Sequence, residues 1–460
     1  MTTTMLQLSQ AVQWLQGARL LGSPDVAVLR VHTDSRTVEP GDLFLALKGA
    51  RFDANDCLHA ARQRGAVAAI CHAGAGADLS GFSRIEVPDT LRALGELATA
   101  WRSQFNLPLI AVTGSNGKTT VTQMVASILE AFCLQGGALA TRGNLNNEIG
   151  VPLTLLRLRA EHTIAVVELG MNHPGEIAVL AAMAQPTVAL VNNAQREHLE
   201  FMQTVQAVAY ENGSVISALP ITGTAIFPAD DDYTPIWQAL AGQCAISEFS
   251  LQGASASVHC VSAHWASGAW QVHARAAGTD LHYRLAIAGR HNVKNSLAAV
   301  ACALAAGVST AAIVQGLEAF VPVKGRSRAQ VVVQGTHRCT LVDDTYNANP
   351  DSMRAAIDVL AELPSPRLLV LGDMGEVGHE GPQFHAEAGR YAKAKGIEHL
   401  FAIGSLATCA TEVFAGAEHF DGMDALLAAV QVQVPHVASI LVKGSRFMRM
   451  ERVVEALHAH

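Results

Sequence analysis

Residues 113–120 read Thr-Gly-Ser-Asn-Gly-Lys-Thr-Thr, and this stretch decides the fold of the chain. It follows an apolar run at residues 109–112 and precedes residues 121–132, where apolar side chains recur at helical spacing. A glycine-containing turn between a buried strand and a helix directs backbone N–H groups and the positive end of the helix dipole toward an anion. The stretch therefore predicts a phosphate-binding loop in an α/β fold.

The residue types in this loop suit a nucleotide. Gly114 and Gly117 let the backbone approach phosphate oxygens closely. Lys118 offers a positive charge to the β- and γ-phosphates, and Thr119 offers a hydroxyl to Mg²⁺. The usual spacing would place the first glycine at Val112, and a plain strand–turn–helix joint is the alternative interpretation, but Gly-Lys-Thr-Thr after an apolar strand favours phosphate binding. The predicted nucleotide contacts from the loop are Gly114, Ser115, Asn116, Gly117, Lys118, Thr119 and Thr120.

Outward from the loop, the apolar patterns divide the chain into three predicted domains, at residues 1–84, 85–320 and 321–460. In the middle segment, buried strands alternate with helices, which predicts a central parallel sheet of the P-loop type. An antiparallel insert is predicted there at residues 245–287, because polar and apolar residues alternate at 270–274 and again in the strand after the turn at 278–280. The last segment alternates strands and helices again, as in a Rossmann-like doubly wound sheet. The predicted elements are a helix at 90–102 and strands at 42–47, 65–70, 109–112, 163–168, 187–192, 340–343, 368–371, 400–403 and 439–442.

Composition excludes several classes of protein. Of the 460 residues, 50% are hydrophobic and 16% are charged, which is too apolar for a disordered chain. The net charge is −8 and no run of Lys or Arg is present, so no nucleic-acid partner is expected. The N-terminus lacks a signal-peptide pattern, and no apolar run approaches the roughly 20 residues that span a bilayer. The 8 cysteines form no Cys-x-x-Cys pair, so the composition predicts a cytoplasmic protein with reduced thiols.

Several segments spread along the chain resemble the Mur ligase family. The resemblance covers nearly the whole chain, with the segments in the right order. Some of the spellings, including DDTYNANP and KGSR, resemble the branch that attaches D-alanyl-D-alanine. The segments are TGSNGKT at 113–119, GNLNNEIGVP at 143–152, ELGMNH at 168–173, GRHNVKN at 289–295, DDTYNANP at 343–350, LGDMGE at 371–376 and KGSR at 443–446.

This resemblance implies an ATP- and Mg²⁺-dependent ligase of peptidoglycan synthesis. Its substrates would be a UDP-N-acetylmuramoyl tripeptide and D-alanyl-D-alanine, and a monomer is expected. In such an enzyme a substrate carboxylate attacks the γ-phosphate of ATP, and an amine then displaces phosphate from the acyl phosphate. Two anions roughly 4 Å apart repel by about 1 kcal/mol in water and by more in a less polar site. The pocket must therefore gather cations where carboxylate and phosphate meet.

The resemblance also implies which residues do this. Lys118 and Thr119 serve the phosphates and their Mg²⁺, while Glu168 and His198 hold a second Mg²⁺ beside the substrate carboxylate. Arg326 reaches the ATP phosphates from the third domain, and a bidentate guanidinium suits phosphate. No residue is identified as the general base.

One position departs from the family pattern. Mur ligases commonly carry a lysine soon after the metal-binding histidine, modified to a carbamate that supports the second metal. The matching residue here is Asn212, and no lysine lies between Lys118 and Lys294. An uncharged amide cannot reproduce the negative charge of a carbamate. Either Glu211 compensates, or the second metal is held in another way.

Further nucleotide contacts are implied on a helix and a strand. His291, Asn292 and Asn295 would lie beside the adenine, with Asn295 as the best candidate for a contact to the base. Asn292 could instead cap the helix. Either Asp343 or Asp344, at the end of a strand, would bind the ribose, and the sequence leaves this choice open.

Three groups of substrate contacts complete the expectation. Those for the uridine diphosphate are Ser35, Arg36 and Lys48. Those for the muramoyl peptide are Thr141, Arg142, Asn144 and Asn147, and the third residue of that peptide stays open. Those that contact substrate or close the cleft are Lys443, Ser445 and Arg446.

Proteins with other functions could carry some of the same motifs. A MurE-type or folylpolyglutamate-type ligase would share the loop, although the folate enzyme lacks a UDP-binding first domain. A P-loop switch that couples ATP hydrolysis to partner binding would share it too, but the loop spelling and the later motifs argue against a switch. A third interpretation is a catalytically inactive family member that acts as a sensor. Only the absence of the lysine, at Asn212, supports it.

Overall fold

The structure is a computed structural model that describes residues 4–458. Its strands form sheets of five, nine and six strands, together with a two-stranded ribbon. The five-stranded sheet is formed by residues 19–87, the nine-stranded sheet by residues 109–285 and the six-stranded sheet by residues 328–443. None of the helices between residues 4 and 458 combines the length and the apolar character needed to cross a bilayer.

The first sheet has the strand order β2-β7-β6-β5-β4. Strands β4 to β7 run parallel, and β2 pairs antiparallel with β7 at the edge. The ribbon joins β1 and β3. The elements are β1 (Leu6–Gln7), α1 (Leu8–Trp14), β2 (Arg19–Leu21), β3 (Ala27–Val28), β4 (Arg30–His32), β5 (Asp42–Leu45), α2 (Leu58–Gln63), β6 (Ala68–His72) and β7 (Ser83–Val87).

The nine-stranded sheet has the order β16-β15-β14-β13-β12-β11-β8-β10-β9. The elements of this part are α3 (Thr90–Arg102), β8 (Leu109–Thr113), α4 (Lys118–Phe132), β9 (Ala138–Ala140), α5 (Gly150–Leu155), β10 (Ile164–Glu168), α6 (Glu176–Ala184), β11 (Val188–Val191), α7 (Leu199–Met202), α8 (Val205–Ser217), β12 (Thr224–Pro228), α9 (Thr234–Ala241), β13 (Ala245–Ser250), β14 (Val258–Ala266), β15 (Ala269–Ala276), β16 (Thr279–Leu285), α10 (Arg290–Ala305) and α11 (Thr310–Ala319).

The antiparallel part of this sheet differs in extent from the prediction. β13 pairs parallel with β12, and β14 pairs parallel with β13. Only β14, β15 and β16 form an antiparallel meander, and they continue the same sheet. The prediction that the antiparallel strands start at residue 245 was therefore wrong for β13, which lies between β12 and β14 and pairs parallel with both of them.

Strand β8 carries the phosphate loop at its end and is buried on both faces. Leu109 and Ala111 pack into a core shared with α3, α5, α6 and α8. Ile110 and Val112 point to the opposite face, into a core shared with α4, α10 and α11. Burying a large aliphatic side chain contributes about 1.5–3 kcal/mol. The two cores therefore hold the start of the loop rigidly between two layers of helices.

The six-stranded sheet has the order β17-β18-β22-β19-β20-β21. β17 is an antiparallel edge strand, and the other strands run parallel. The elements are β17 (Arg328–Gln334), β18 (His337–Asp344), α12 (Pro350–Ala361), β19 (Arg367–Gly372), α13 (Gly381–Ala394), β20 (His399–Ile403), α14 (Thr408–Glu412), β21 (Glu418–Phe420), α15 (Met423–Gln433), β22 (Ser439–Lys443) and α16 (Glu451–His458).

Polar side chains lie at the carboxyl ends of strands from the two larger sheets. Glu168 ends β10 in the middle sheet. Asp344 and Lys443 end the neighbouring strands β18 and β22 and stand side by side in the register. Because ligands of open α/β sheets bind outside the carboxyl ends of the strands, these ends mark the candidate site.

Candidate active site

A cavity of about 1220 Å³ lies where the middle and C-terminal sheets face each other. Most of the predicted nucleotide, metal and catalytic residues line it, as do some of the predicted substrate residues. Those on its wall are Ser115, Asn116, Gly117, Lys118, Thr119, Thr120, Asn144, Asn147, Glu168, His198, His291, Asn292, Asn295, Arg326, Asp344 and Lys443.

The phosphate loop needs its two glycines for different close approaches. Gly114 has φ +129°, and a Cβ there would stand 2.9 Å from the backbone nitrogen of Asn192. Gly117 has φ +82°, and a Cβ there would stand 2.6 Å from Oδ1 of Asn295. Both backbone conformations lie in the region that side chains disfavour. Substitution at either position would push the loop away from the segments that support it.

Lys118 turns its ammonium group toward the mouth of the loop. Its Nζ donates to the backbone oxygen of Ser115 at 3.1 Å and to Oε1 of Glu197 at 2.9 Å. The side chains of Lys118 and Glu197 are only 14% and 11% exposed. A largely buried cation beside backbone N–H groups at a helix start is suited to an anion, and here the Glu197 carboxylate is its partner.

Glu168 is the buried carboxylate nearest to the loop hydroxyl. Its Oε1 accepts hydrogen bonds from Oγ1 of Thr119 (3.1 Å) and from Nδ2 of Asn146 (2.8 Å). Its Oε2 is buried and has no hydrogen-bond partner among the described residues. A buried carboxylate oxygen without a donor is costly. Mg²⁺ prefers oxygen ligands and commonly takes one or two carboxylates plus phosphates and waters, so Glu168 and Thr119 fit this ion.

His198 joins the middle domain to the third domain. Its Nδ1 lies 2.6 Å from Oε2 of Glu376, and its Nε2 lies 3.6 Å from Oε1 of Glu197. The side chain is 11% exposed. Among residues 4–458, no group of three or more His, Cys, Asp or Glu side chains is arranged to hold a metal alone. Any metal bound by Glu168 or His198 would thus need ligands from nucleotide, substrate or water.

Asn212 occupies a buried position behind the phosphate loop. Its Oδ1 accepts from Oγ1 of Thr113 (2.7 Å) and from the backbone nitrogen of Gly114 (3.0 Å). Glu211 accepts from the backbone nitrogens of Gly175 and Ile177 at 2.8 Å each, at the start of α6. Both Glu211 oxygens are therefore used to cap that helix. This arrangement does not favour compensation by Glu211, and it assigns Asn212 to holding the loop.

The amides at the start of α10 form a chain of hydrogen bonds. Nδ2 of Asn295 donates to Oδ1 of Asn292 (2.9 Å), and Nδ2 of Asn192 donates to Oδ1 of Asn295 (2.9 Å). Nδ2 of Asn192 also donates to the backbone oxygen of Asn116 in the loop (2.8 Å). Asn292 in turn donates to the oxygen of Ala288. Asn295 thus supports the phosphate loop through Asn192, and its contact to a base stays a prediction.

His291 lies beside the strand-end carboxylate Asp344. Burial lowers the pKa of His291, and this effect outweighs the opposing influence of Asp344. The imidazole is therefore neutral near pH 7 and able to accept a hydrogen bond.

The two adjacent aspartates of β18 have different surroundings. Asp343 is fully buried and accepts hydrogen bonds from the nitrogen of Gly325 (2.9 Å) and Oγ1 of Thr345 (2.7 Å). Asp344 lines the cavity and contacts Nζ of Lys443 at 2.5 Å. Burial raises the pKa of Asp344, but the charge and hydrogen bond of Lys443, together with smaller effects of His291 and the Ser327 nitrogen, hold the pKa below its usual value. Asp344 is thus the aspartate that can reach a ligand.

Arg326 stands over an aromatic ring at the edge of the cavity. Its guanidinium carbon lies 4.1 Å from the ring centroid of Tyr346, and its Nε is buried without a hydrogen-bond partner among the described residues. Stacking holds the guanidinium plane, while the unused donors remain able to bind an anion.

Several predicted residues lie off the cavity wall. In the first domain, Arg36 pairs with Asp34 at 2.7 Å, and Lys48 lies 3.7 Å from Asp53. Oγ1 of Thr141 is buried and accepts from the nitrogen of Glu168. The remaining residues off the wall are Ser35, Gly114, Arg142, Asp343, Ser445 and Arg446.

Comparison with known families covers most of the chain. Residues 28–102 match the model described as the Mur ligase family catalytic domain, and residues 112–303 match the Mur ligase middle domain. Residues 327–446 match the Mur ligase glutamate ligase domain. The UDP-N-acetylmuramoyl-tripeptide–D-alanyl-D-alanine ligase of Escherichia coli K12 is 40% identical over 452 residues, which are 98% of each chain. This chain belongs to the Mur ligase family.

Solved structures place this Mur ligase in the MurF branch. The crystal structure of MurF from Acinetobacter baumannii superposes with a TM-score of 0.90 at 36% identity, and 99% of each chain is covered. MurF from Thermotoga maritima in complex with ADP superposes with a TM-score of 0.82 at 25% identity, over 94% of this chain and 97% of that one. The three-domain α/β fold predicted from the sequence is confirmed.

Several residues that shape the site of this Mur ligase were not predicted from the sequence. Asn146 binds the same Glu168 oxygen as Thr119. Glu197 contacts Lys118, and Glu376 contacts His198. Asn146 and Glu376 lie within quoted motifs, so their polar character was a usable signal. Glu197 precedes His198 directly, and only the fold shows that it faces the phosphate loop.

Proposed function

We propose that this protein ligates D-alanyl-D-alanine to a UDP-N-acetylmuramoyl tripeptide, with ATP as the energy source and an acyl phosphate as the intermediate. One observation carries the proposal: the phosphate loop, the carboxylate Glu168 and the cations Arg326 and Lys443 all line one cavity. The relatives reported above support the choice of substrates, since the E. coli relative bears this name over 98% of the chain.

ATP is proposed to lie with its phosphates on the loop. The MurF structure from T. maritima contains ADP, which supports a nucleotide in the corresponding cavity. In this arrangement Lys118 exchanges Glu197 for the phosphates, and Asp344 is proposed as the ribose contact because it reaches the cavity while Asp343 does not. His291, Asn292 and Asn295 are proposed to lie near the adenine.

The first chemical step joins two anions. An oxygen of the tripeptide carboxylate attacks the γ-phosphorus, the bond to the bridging oxygen breaks, and ADP leaves. Lys118 and Arg326 hold the phosphate oxygens and stabilise the charge that develops on them. Thr119, Glu168 and His198 are the residues that would hold Mg²⁺, and the ion would supply further positive charge to the site.

The second step forms the amide. The amine of D-alanyl-D-alanine attacks the acyl carbon, and phosphate leaves with one oxygen of the original carboxylate. Asn144 and Asn147 on the cavity wall are proposed to orient the peptide, and Lys443 to contact substrate or close the cleft. Docking of the third domain excludes water, which protects the acyl phosphate from hydrolysis.

The remaining assignments rest on resemblance. Ser35, Arg36 and Lys48 are proposed for the uridine diphosphate, and Thr141 and Arg142 for the muramoyl peptide. Ser445 and Arg446 are proposed to contact substrate or close the cleft. A monomer is proposed, and a cytoplasmic site of action agrees with the eight cysteines, which are all free in the structure.

The test is a phosphate-release assay on the purified protein with ATP, Mg²⁺ and a UDP-N-acetylmuramoyl tripeptide. Phosphate release should rise on addition of D-alanyl-D-alanine, and mass spectrometry should find the pentapeptide product. A response to meso-diaminopimelate or lysine with a UDP-muramoyl dipeptide, and none to D-alanyl-D-alanine, would identify a MurE-type enzyme. ATP hydrolysis without any carboxylate substrate would identify a switch.

A further inference from the structure

Arg196 joins the loop between β11 and α7 to the third domain. Its Nη2 donates to Oδ1 of Asp351 at 2.6 Å, and its backbone nitrogen donates to Oδ2 of the same carboxylate at 2.8 Å. Its Nη1 and Nη2 donate to the two oxygens of Glu387 at 2.9 and 3.2 Å. The guanidinium of this one middle-domain residue thus binds two carboxylates of the third domain.

The surroundings of Arg196 favour a strong contact. The side chains of Arg196, Asp351 and Glu387 are 23%, 23% and 28% exposed, so water screens them only in part. The guanidinium carbon also lies 5.3 Å from the ring centroid of Phe384. Bidentate, partly desolvated arginine pairs are stronger and more directional than ordinary surface pairs. Asp351 lies in the first turn of α12, where the helix dipole favours a carboxylate.

Two neighbouring contacts join the same two domains. Asn349, the N-cap of α12, and Asn116 of the phosphate loop exchange amide hydrogen bonds at 3.0 and 3.3 Å. Glu376 contacts His198 at 2.6 Å. Arg196 therefore lies between two residues of the site, the loop residue Asn116 and the proposed metal ligand His198, on the segment that also carries Glu197.

We propose that Arg196 is a positioning residue, which fastens the segment carrying Glu197 and His198 to the third domain and so couples domain docking to the assembly of the active site. The inference rests on the proposed function. In this proposal the third domain does more than cover the cavity. Through Asp351 and Glu387 it also positions the middle-domain segment that carries Glu197 and His198.

The test uses two variants of the full-length protein that differ in one respect. Arg196→Met removes the contact between the domains while keeping much of the apolar stem. Arg354→Met is the matched control, because Arg354 also binds Glu387, at 3.0 Å, but both residues belong to the third domain. Two quantities are measured: steady-state kinetics, and small-angle X-ray scattering with a non-hydrolysable ATP analogue and the UDP-linked tripeptide.

We expect Arg196→Met to lower kcat by about 10- to 100-fold, since a misplacement of about 1 Å in an active site costs up to that much. KM for ATP should change little, because the phosphate loop keeps its own contacts. The radius of gyration should rise, which reports a more open protein, while Arg354→Met matches the wild type. Arg196→Lys should restore kcat and the radius of gyration only in part. The lysine keeps the positive charge, but its ammonium cannot bind two carboxylates at once as the guanidinium does.

The two proposals fail in different ways. Scattering of Arg196→Met that equals that of the wild type would overturn the role of Arg196, whatever the activity. A more open variant with unchanged kcat would also overturn it. Absence of ligase activity in the wild type, with the scattering difference intact, would instead overturn the proposed function.

Discussion

Lys118 carries most of the charge of the phosphate loop, so it decides whether the loop binds an anion. Lys118→Met keeps the length of the side chain and removes the charge. We expect kcat to fall by about 10²–10³-fold, as for loss of one preorganised donor. ATP should also lose its stabilising effect on the thermal midpoint, which tight binding otherwise provides.

Lys395→Met is the matched control for this variant, since Lys395 forms an exposed ion pair with Asp358 at 2.6 Å, far along the chain from the loop. Both activity and ATP protection should survive in it. Full activity of Lys118→Met would contradict a role of the phosphate loop in catalysis.

Asn212 gives a second prediction at the scale of single residues. Asn212→Ala leaves Oγ1 of Thr113 and the nitrogen of Gly114 buried without their acceptor. Each unsatisfied buried donor costs about 1–3 kcal/mol. We expect a lower free energy of unfolding and a lower thermal midpoint, measured by calorimetry. Ser214→Ala, on the same helix, removes only a bond to its own helix backbone and should leave the midpoint nearly unchanged.

The sequence predicted the residues of the loop because their chemistry is local: glycines, a lysine and a threonine at one strand–helix joint. It did not predict the role of Asn212, whose partners lie about a hundred residues earlier in the chain. The contact between Lys118 and Glu197 was not predicted for the same reason, since Glu197 follows a different strand.

Individual elements were predicted well where burial dominates. The helix at 90–102 has the predicted bounds, and the strands flanking the loop lie within one or two residues of theirs. β17 and β21 were not predicted, because both are edge strands with largely exposed side chains: β21 has only three residues, and the apolar stretch of β17 is limited to residues 331–333. The parallel pairing of β13 was not predicted, because the side-chain pattern of a strand does not report the direction in which it pairs.

Helix α13 contributes a pH-dependent element through His385. The side chain is fully buried, and its Nε2 accepts a hydrogen bond from the nitrogen of Met374 at 2.9 Å. Nδ1 donates to the oxygen of Gly381 at 2.7 Å. Burial lowers the pKa of His385 and outweighs the opposing effects of Gly381 and Asp373, so the folded protein holds the ring neutral.

A lowered histidine pKa makes the folded state less stable in acid. The unfolded chain takes up the proton first, so stability is lost as pH falls below the ordinary histidine pKa of about 6.5. We expect the thermal midpoint of the wild type to drop more between about pH 7.5 and pH 5.5 than that of His385→Gln, which does not titrate. Equal drops in the two proteins would contradict this role of His385.

At the scale of the whole molecule, residues from two sheets line the candidate active site. The middle domain supplies the loop, Glu168 and His198, and the third domain supplies Arg326, Asp344 and Lys443 to the same cavity. The sequence could assign these residues to motifs but could not predict that Arg196 would meet Asp351 and Glu387, because such contacts depend on how two separately folded sheets are placed. The arrangement of the domains therefore had to be read from the structure, because the motifs do not predict it.

The most direct test of the ligase chemistry follows one oxygen atom. The tripeptide substrate is labelled with ¹⁸O in the carboxylate that accepts D-alanyl-D-alanine, and the phosphate released during turnover is analysed by mass spectrometry. Attack of that carboxylate on the γ-phosphorus, followed by displacement by the amine, transfers one labelled oxygen to each phosphate. We predict ¹⁸O in the released phosphate in proportion to the label supplied, and phosphate free of ¹⁸O while product forms would contradict the acyl-phosphate route.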